Sequence, residues 1–452
     1  MSLSLSRALE ATSGHAQHAG RFPNELRIVT DTRDLHSGDT FLALRGERFD
    51  GDAFAAEALR RGAAALILDR VHPELQEIPI LYVADTKTAY LQLAASARGA
   101  YAGRVIAITG STGKTTTRFL LEQLLAVEYG SERVLGPPGN ENNELGVSKV
   151  LLRALQSHRV IVVEMGARHL GEIAELVDIA LPDTGILTNI GEAHLEVFGS
   201  REAIAQTKWG LFSRGAQAVL NARDSESRSR SAGLDRAPLW FGEGPPALPG
   251  VWLQAANRLA LTHLQPAQEY AVHTPFPGAH NRSNLAAAIA GALLLDVPVD
   301  RIVAALPRLR LPEGRYESIA LNGYPRIIYD AYNANESGTV AALEAFADES
   351  GDRRIAVLAG MAELGPQAAA MHERVGAHAA ANIDFLLVGG EYADAMENGA
   401  RRAGLARERI VSFTGNAEAA QWIRANASRD DVVLLKGSRK YRMEQIVEEL
   451  RR

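Results

Sequence analysis

The sequence predicts an α/β chain of three domains: a small N-terminal α/β module (1–98), a central P-loop domain on a parallel sheet (99–312) and a C-terminal Rossmann-like, doubly wound domain (313–452). Three observations predict it. An apolar strand runs into a Gly-rich loop and a helical pattern between Arg104 and Leu125; β-rich runs alternate with amphipathic stretches; and PRLRLPEGRY (307–316), with two prolines and a glycine, interrupts the pattern before it restarts. At 452 residues the chain exceeds what one core usually serves.

In the first module LRIVTDTR (26–33), TFLALRG (40–46), AAALILD (63–69) and PILYVAD (79–85) read as strands, with a helix over Asp52 to Arg61. The central domain opens on the Gly-rich unit and continues with strands at RVIVVEMG (159–166), TGILTNIG (184–191) and AQAVLNA (216–222). A Pro- and Gly-rich interval from Phe241 to Val251 follows, then a short β-like stretch and an Ala-rich helix starting near Ser283. The last domain repeats the alternation with RIIYD, RIAVLAG, FLLVGG, RIVSF and DVVLLKG. Alternating strands and helices imply a parallel sheet covered on both faces.

Hydrophobic residues make up 46% of the chain and charged ones 23%, the balance of a soluble globular protein. A formal charge of −6 with mixed signs argues against nucleic acid or an anionic membrane as the main partner. The absence of cysteine excludes disulfides, thiolate metal sites and a cysteine nucleophile. The N-terminal segment lacks a basic region followed by a long apolar run, and no stretch reaches about 18 uninterrupted apolar residues, so a cytoplasmic enzyme without membrane insertion is expected.

The segment Gly110, Ser111, Thr112, Gly113, Lys114, Thr115, Thr116 reads as a phosphate cradle. Glycines let successive N–H groups turn toward an anion, a helix start adds its dipole, Lys114 supplies a cation and Thr115 a hydroxyl for Mg²⁺. The common pattern has a further glycine five residues before Gly113; Ile108 stands there, so Gly110 makes the turn in a shorter loop. In open α/β sheets ligands gather beyond the carboxyl ends of strands, which draws attention to Glu164 and His194. Glu164 suits a Mg²⁺ ligand, or else a helix-capping acid; His194 suits a second metal site, or else a loop histidine. Asn140, Asn142 and Asn143 could hydrogen-bond a peptide-like substrate, or simply form a turn. Asn281 and Asn284, three apart at a helix start, could both reach one base edge, while N-capping would account for one. Arg315 and Asp330 can bind a phosphate and a ribose hydroxyl, and Lys436, Ser438 and Arg439 form a basic loop after a strand. Together they suggest a last domain that closes over ATP held by the middle one.

The ordered series TGSTGKTTT, VEMGARHLGEI, TNIGEAHLEVFGS, PGAHNRSNLAAA, GRYE and YDAYNAN resembles the Mur ligase family, the ATP-dependent amide-bond-forming enzymes of bacterial cell-wall synthesis. The likeness runs over nearly the whole chain. TDTRDLHSGDTFLALRGERFDGDAF, GNENNELG, DAYNAN, VLAGMAELG with the following His372, and LLKGSRKYRME point to the branch that joins D-alanyl-D-alanine to UDP-N-acetylmuramoyl-tripeptide. The resemblance implies a monomeric peptidoglycan-precursor ligase that uses ATP and two Mg²⁺ ions and acts through an acyl phosphate. Lys114, Lys208, His194 and Arg315 would be catalytic, with Thr115, Glu164, His194 and Lys208 at the metals. Lys208 matches a lysine that relatives carry as a carbamate; without the resemblance it reads as a surface helix lysine. Gly110 to Thr116, Asn281, Asn284, Arg315 and Asp330 would hold the nucleotide. Thr30, Asp31, Thr32, Arg33, Arg45, Gly46, Glu47, Arg48 and Phe49 would meet the uridine nucleotide. Asn140, Asn142, Asn143, Asn333 and Asn335 would meet the other substrate groups.

Several positions depart from the family pattern: Thr207-Lys208-Trp209-Gly210-Leu211 where A-K-G-E is typical, Glu336 where Pro is customary, Ala359-Gly360 where Gly-Asp is frequent, and Glu141 in place of an apolar residue. A ligase for a different amine and carboxylate, and a P-loop ATPase without ligation chemistry, stay open at this point.

Overall fold

The computed structural model describes residues 3–46, 49–191, 195–255 and 257–452. It contains three main sheets and one two-strand ribbon among those residues. The first sheet runs His15–Gln17, Ile80–Tyr82, Ala65–Leu68, Thr40–Leu42, Ile28–Val29, parallel except at its first strand. Both faces are covered, as a parallel sheet requires. Leu66 and Leu68 point toward Ala55 and Ala58, and Ile67 and Leu81 toward Ala89 and Leu93. The helix expected over 52–61 is a 3-10 turn, Gly51–Phe54, leading into Ala55–Arg60. The run expected as one strand over 40–46 breaks at Leu42, and Arg45–Gly46 pairs instead with Phe49–Asp50.

The second sheet has nine strands. Its chemistry-bearing elements are β1 (Arg104–Thr109), α1 (Lys114–Tyr129), β2 (Val160–Glu164), β3 (Thr184–Leu187), α2 (Arg201–Trp209) and α3 (Ala279–Leu294). β1 lies between β2 and β3 and is parallel to both. The chain therefore leaves β1 to one side for β2 and returns to the other for β3. That opens a crevice beyond the carboxyl end of β1, where open α/β sheets take their ligands. The Pro- and Gly-rich interval does not end the sheet: Leu239–Glu243 and Gly250–Gln254 pair across it, and two antiparallel strands, Arg258–Leu261 and Gln268–Ala271, extend the edge.

α3 begins at Ala279, four residues earlier than expected, behind Gly278. Its small side chains let it lie against both α1 and the sheet, burying Leu285 through Ala290 with Leu120, Leu121, Leu124 and Leu125. A methyl at Gly291 would already stand 2.9 Å from Ile186 and 3.2 Å from Ile106.

The third sheet has six strands, with β4 (Arg326–Asp330), α4 (Glu336–Ala347), β5 (Arg354–Leu358), α5 (Ala368–Ala380) and β6 (Val432–Lys436) next to the site. β6 lies between β4 and β5, parallel to each. The carboxyl ends of these strands carry Asp330, Lys436 and the Ala359–Leu364 loop. Among the described residues no helix is long and apolar enough to cross a membrane.

His280, on the first turn of α3, sits at the contact with the third sheet's unit. Its ring meets that of Tyr316 edge-on at 5.8 Å, and a methyl on the neighbouring Gly278 would touch Ala345 at 2.8 Å. Burial pushes the imidazole down to about 4, with Lys436 and Arg282 acting the same way and Asp330 opposing. The unfolded chain takes up this proton near 6.5 and the folded chain only near 4. The group therefore supports the fold above pH 6.5 and loses that support as pH falls toward 4. His280→Asn is expected to lose less thermal stability than the parent between pH 7.5 and pH 5; parallel losses in the two melting curves would refute this.

Candidate active site

The crevice beyond β1 opens into a cleft of about 1640 Å³ with walls from all three units. Lys87 and Leu91 come from the first, residues 111–116, Glu164 and Lys208 from the second, and Arg315, Asp330, Asn333 to Ser337 and Lys436 from the third.

The Gly-rich loop is held by the end of β3. Thr188 Oγ1 donates to the Thr112 carbonyl at 2.6 Å. The Asn189 side chain accepts from Thr112 N–H at 3.0 Å and donates to Thr112 Oγ1 at 2.6 Å, while its carbonyl accepts from Ser111 N–H. The loop thus divides. Gly110 to Thr112 is a clamp in which the Ser111 and Thr112 amides are already used, and Gly113 to Thr116, at the amino end of α1 where helical N–H groups lack partners, is the candidate phosphate cradle. In the sequence TNIG stands out only as part of a family-like series, and no role attaches to these two side chains there. They lie just beyond an apolar strand, the same signal that singled out Glu164.

Both glycines are required by shape. Gly110 has φ +151°, and a methyl there would lie 1.9 Å from Thr188 Oγ1; Gly113 has φ +80°, and a methyl there would lie 2.3 Å from Asn284 Oδ1.

Lys114 is the first residue of α1 and donates from Nζ to the Gly110 carbonyl at 2.8 Å. Lys208 Nζ donates to the same oxygen at 3.1 Å. Lys208 is 2% exposed, which corrects its reading as a surface lysine. Burial lowers the ammonium to about 7, helped by the positive charge of Lys114. Lys114 is also lowered, by burial first and by Arg315, with Glu164 opposing. Arg315 stands over the Tyr332 ring at 4.4 Å.

Glu164 is 1% exposed at the end of β2. Its Oε1 accepts from Asn142 Nδ2 at 3.0 Å, and Arg118 Nε is 3.6 Å from Oε2, which is enclosed without a hydrogen-bond partner. It caps no helix. Such an oxygen suits a cation, and Thr115 Oγ1 lies on the same side, donating to Asn140 Oδ1 at 3.4 Å. Among the described residues no three His, Cys, Asp or Glu side chains are grouped to hold a metal by themselves. An ion here would draw on substrate oxygens, as Mg²⁺ does.

The other expectations separate. Asn143 caps the helix Glu144–Leu152, and Asn335 caps α4. Neither Asn281 nor Asn284 is an N-cap, since Gly278 holds that place; Asn281 Nδ2 donates to the Pro277 carbonyl at 2.9 Å and Asn284 Oδ1 lies against the loop. Asp330 accepts from Tyr316 N–H and pairs with Lys436 at 2.8 Å. Lys436 donates also to the Asn333 carbonyl, and Ser438 is buried, so of the expected basic loop Arg439 reaches solvent and those two do not. Thr30 to Arg33 and Arg45, Gly46 and Phe49 lie on the first unit and do not line the cleft. There Arg33 hydrogen bonds hold Asp31 at about 2, Arg45 reaches Asp52 and Asp69, and Phe49 stacks on Phe54 at 5.6 Å. Glu47, Arg48 and His194 lie outside the described residues.

Three family profiles match the chain: Mur ligase family, catalytic domain, over 27–98; Mur ligase middle domain over 108–292; and Mur ligase, glutamate ligase domain, over 314–439. A UDP-N-acetylmuramoyl-tripeptide–D-alanyl-D-alanine ligase of Escherichia coli K12 is 34% identical over 100% of this chain and 98% of its own length. The chain belongs to the Mur ligase family. A Bacillus subtilis protein of the same name is 31% identical, covering 94% of this Mur ligase and 92% of the relative. Among solved structures, MurF from Acinetobacter baumannii superposes with a TM-score of 0.86 at 32% identity, over 100% and 99% of the two chains. MurF from Thermotoga maritima in complex with ADP gives 0.80 at 29%, over 94% and 97%. The three-unit α/β architecture is that of these Mur ligases.

Gly110→Ala is expected to lower substrate-dependent phosphate release on the order of 100-fold, the scale of a misplaced reacting group. Activity within threefold of the parent would show that the loop does not need its present shape.

Proposed function

We propose that this Mur ligase joins D-alanyl-D-alanine to UDP-N-acetylmuramoyl-tripeptide, using ATP and releasing ADP and phosphate. One observation carries the reading: a phosphate cradle and a wall from a different sheet face each other across one cleft, in a chain that matches relatives of that name from end to end. The residue roles follow as proposals. Segments 1–98, 99–312 and 313–452 act as the uridine-nucleotide, ATP and amino-substrate domains.

A carboxylate resists attack by an amine because it is already negative and oxide is a poor leaving group. Transfer of the γ-phosphoryl group of ATP to a carboxylate oxygen gives an acyl phosphate. The dipeptide amine then attacks the acyl carbon, the carbon–oxygen bond breaks, phosphate leaves with that oxygen, and the amine sheds its proton. Gly113 to Thr116 and Lys114 hold the phosphates, and Arg315 approaches the transferring group from the opposite wall, so both cations face charge as it spreads in the transition state. Asn281, Asn284 and Asp330 would meet the adenosine. Closure of the three units over bound substrates would exclude water that hydrolyses the acyl phosphate.

Glu164, Thr115, His194 and a carbamate on Lys208 would hold two Mg²⁺ ions. Bound there, the ions would neutralise phosphate charge and orient its oxygens. The carbamate reading draws on the position of Lys208: its nitrogen shares one carbonyl with Lys114, and addition of CO₂ to the ammonium, with release of two protons, would replace a cation by an anion beside that neighbour. Such a reaction on ATP and nucleotide-linked substrates would run in the cytoplasm, with the enzyme acting as a monomer.

Phosphate release from ATP and Mg²⁺ is expected to require both the UDP-linked tripeptide and D-alanyl-D-alanine. Release only with another substrate pair would select a different ligase, and release without substrates an ATPase. Lys208→Ala is expected to be inactive and partly rescued by acetate or formate; equal rescue by chloride would overturn the carbamate reading.

A further inference from the structure

The wall opposite the phosphate cradle includes Ala362, Glu363, Leu364 and Met371. The segment leading into it is tied down at each step. Ala359 N–H donates to the Lys436 carbonyl at 2.8 Å, the Gly360 carbonyl accepts from Ser438 N–H at 3.1 Å, and Met361 N–H donates to His372 Nε2 at 2.9 Å. Glu363 then takes φ +61°, a left-handed conformation that a non-glycine residue keeps only where its surroundings enforce it.

His372 is 0% exposed. Its Nδ1 lies 2.6 Å from the Ala368 carbonyl, one turn back on α5, and its ring stacks on Tyr392 at 4.6 Å. The two bonds fix the tautomer: Nδ1 carries the hydrogen and Nε2 accepts. An imidazole locked by packing and by two backbone groups is therefore the last anchor before the chain enters the cleft. The mechanism above gives it no role.

We infer that His372 is a positioning residue for the amino substrate, acting through Met361 on the 362–364 wall. The inference rests on the proposed ligase reading. The γ-phosphate lies at the cradle, so the amine reaches the acyl carbon from the facing wall, and the shape of 362–364 sets how closely the dipeptide approaches.

The test compares two variants. In His372→Gln the amide oxygen can take the place of Nε2 and still accept from Met361; in His372→Asn the shorter side chain keeps the Ala368 contact and loses Met361. His372→Asn is expected to raise KM for D-alanyl-D-alanine about tenfold, the scale of one lost buried hydrogen bond, with KM for ATP within twofold of the parent and His372→Gln close to the parent. Indistinguishable variants, or ATP and dipeptide KM rising together, would overturn the inference. Parent enzyme that joins no D-alanyl-D-alanine would overturn the ligase reading instead. Should either variant fail to fold, amide exchange on the parent decides. Saturating dipeptide is expected to slow exchange over 359–364, and unchanged exchange there counts against the role.

Discussion

Two lysine nitrogens, Lys208 buried and Lys114 half-buried, meet at one carbonyl oxygen, and the rest of the site is arranged around that fact. Lys114 and Lys208 both donate to the Gly110 carbonyl, in a place where burial already works against their charge. Like charges so close, poorly shielded by water, persist only where the surrounding packing holds them or an anion answers them. In the proposed reaction a phosphate of ATP would answer Lys114, and a carbamate would remove the positive charge of Lys208. The fold supplies the packing: Thr188 and Asn189 fix the loop, α3 presses Asn284 against Gly113, and α2 delivers Lys208 from behind.

The same constraint explains why three sheets are needed. A cradle alone binds nucleotide; an amide ligase must also bring a carboxylate to the phosphate and an amine to the carboxylate. Each of the three units contributes to the cleft, the first through Lys87 and Leu91 on the helix Thr86–Gly99, so substrates held by different units would meet there. His280 and Tyr316, packed edge to face, join the second unit to the third next to Asp330 and Lys436. Contact between the two units thus lies beside the residues proposed to face the nucleotide.

Much of this was legible in the sequence. The strand, glycine loop and helix at β1 and α1 are local features with local causes, and Glu164 was found by the rule that ligands gather at strand ends. Lys208 was harder, because a lone lysine in REAIAQTKW looks solvated. Ile204 and Lys208 are four apart and share a face, and Ile204 is fully buried, so helical spacing held a signal that residue type obscured. Asn143 and Asn335 carry two signals at once: each caps a helix through Oδ1 and also lines the cleft, because a cap and a ligand call for the same residue type. The start of α3 moved to Ala279 because Gly278, a weaker cap signal than Ser283, holds the turn. The bonds of Asn189 reach 77 residues back to Thr112, and no local pattern encodes them; those of His372 span only 11 and 4 residues, but nothing in the residue types tells which ring nitrogen donates and which accepts.

The central claim is that ATP activates a carboxylate, and oxygen tracing tests it most directly. With ¹⁸O in both oxygens of the tripeptide carboxylate, phosphate released during ligation should carry one labelled oxygen and the new amide should keep the other. Unlabelled phosphate from a reaction that nonetheless forms product would mean that the carboxylate oxygen never bonded to phosphorus, and the account would fail at its first step.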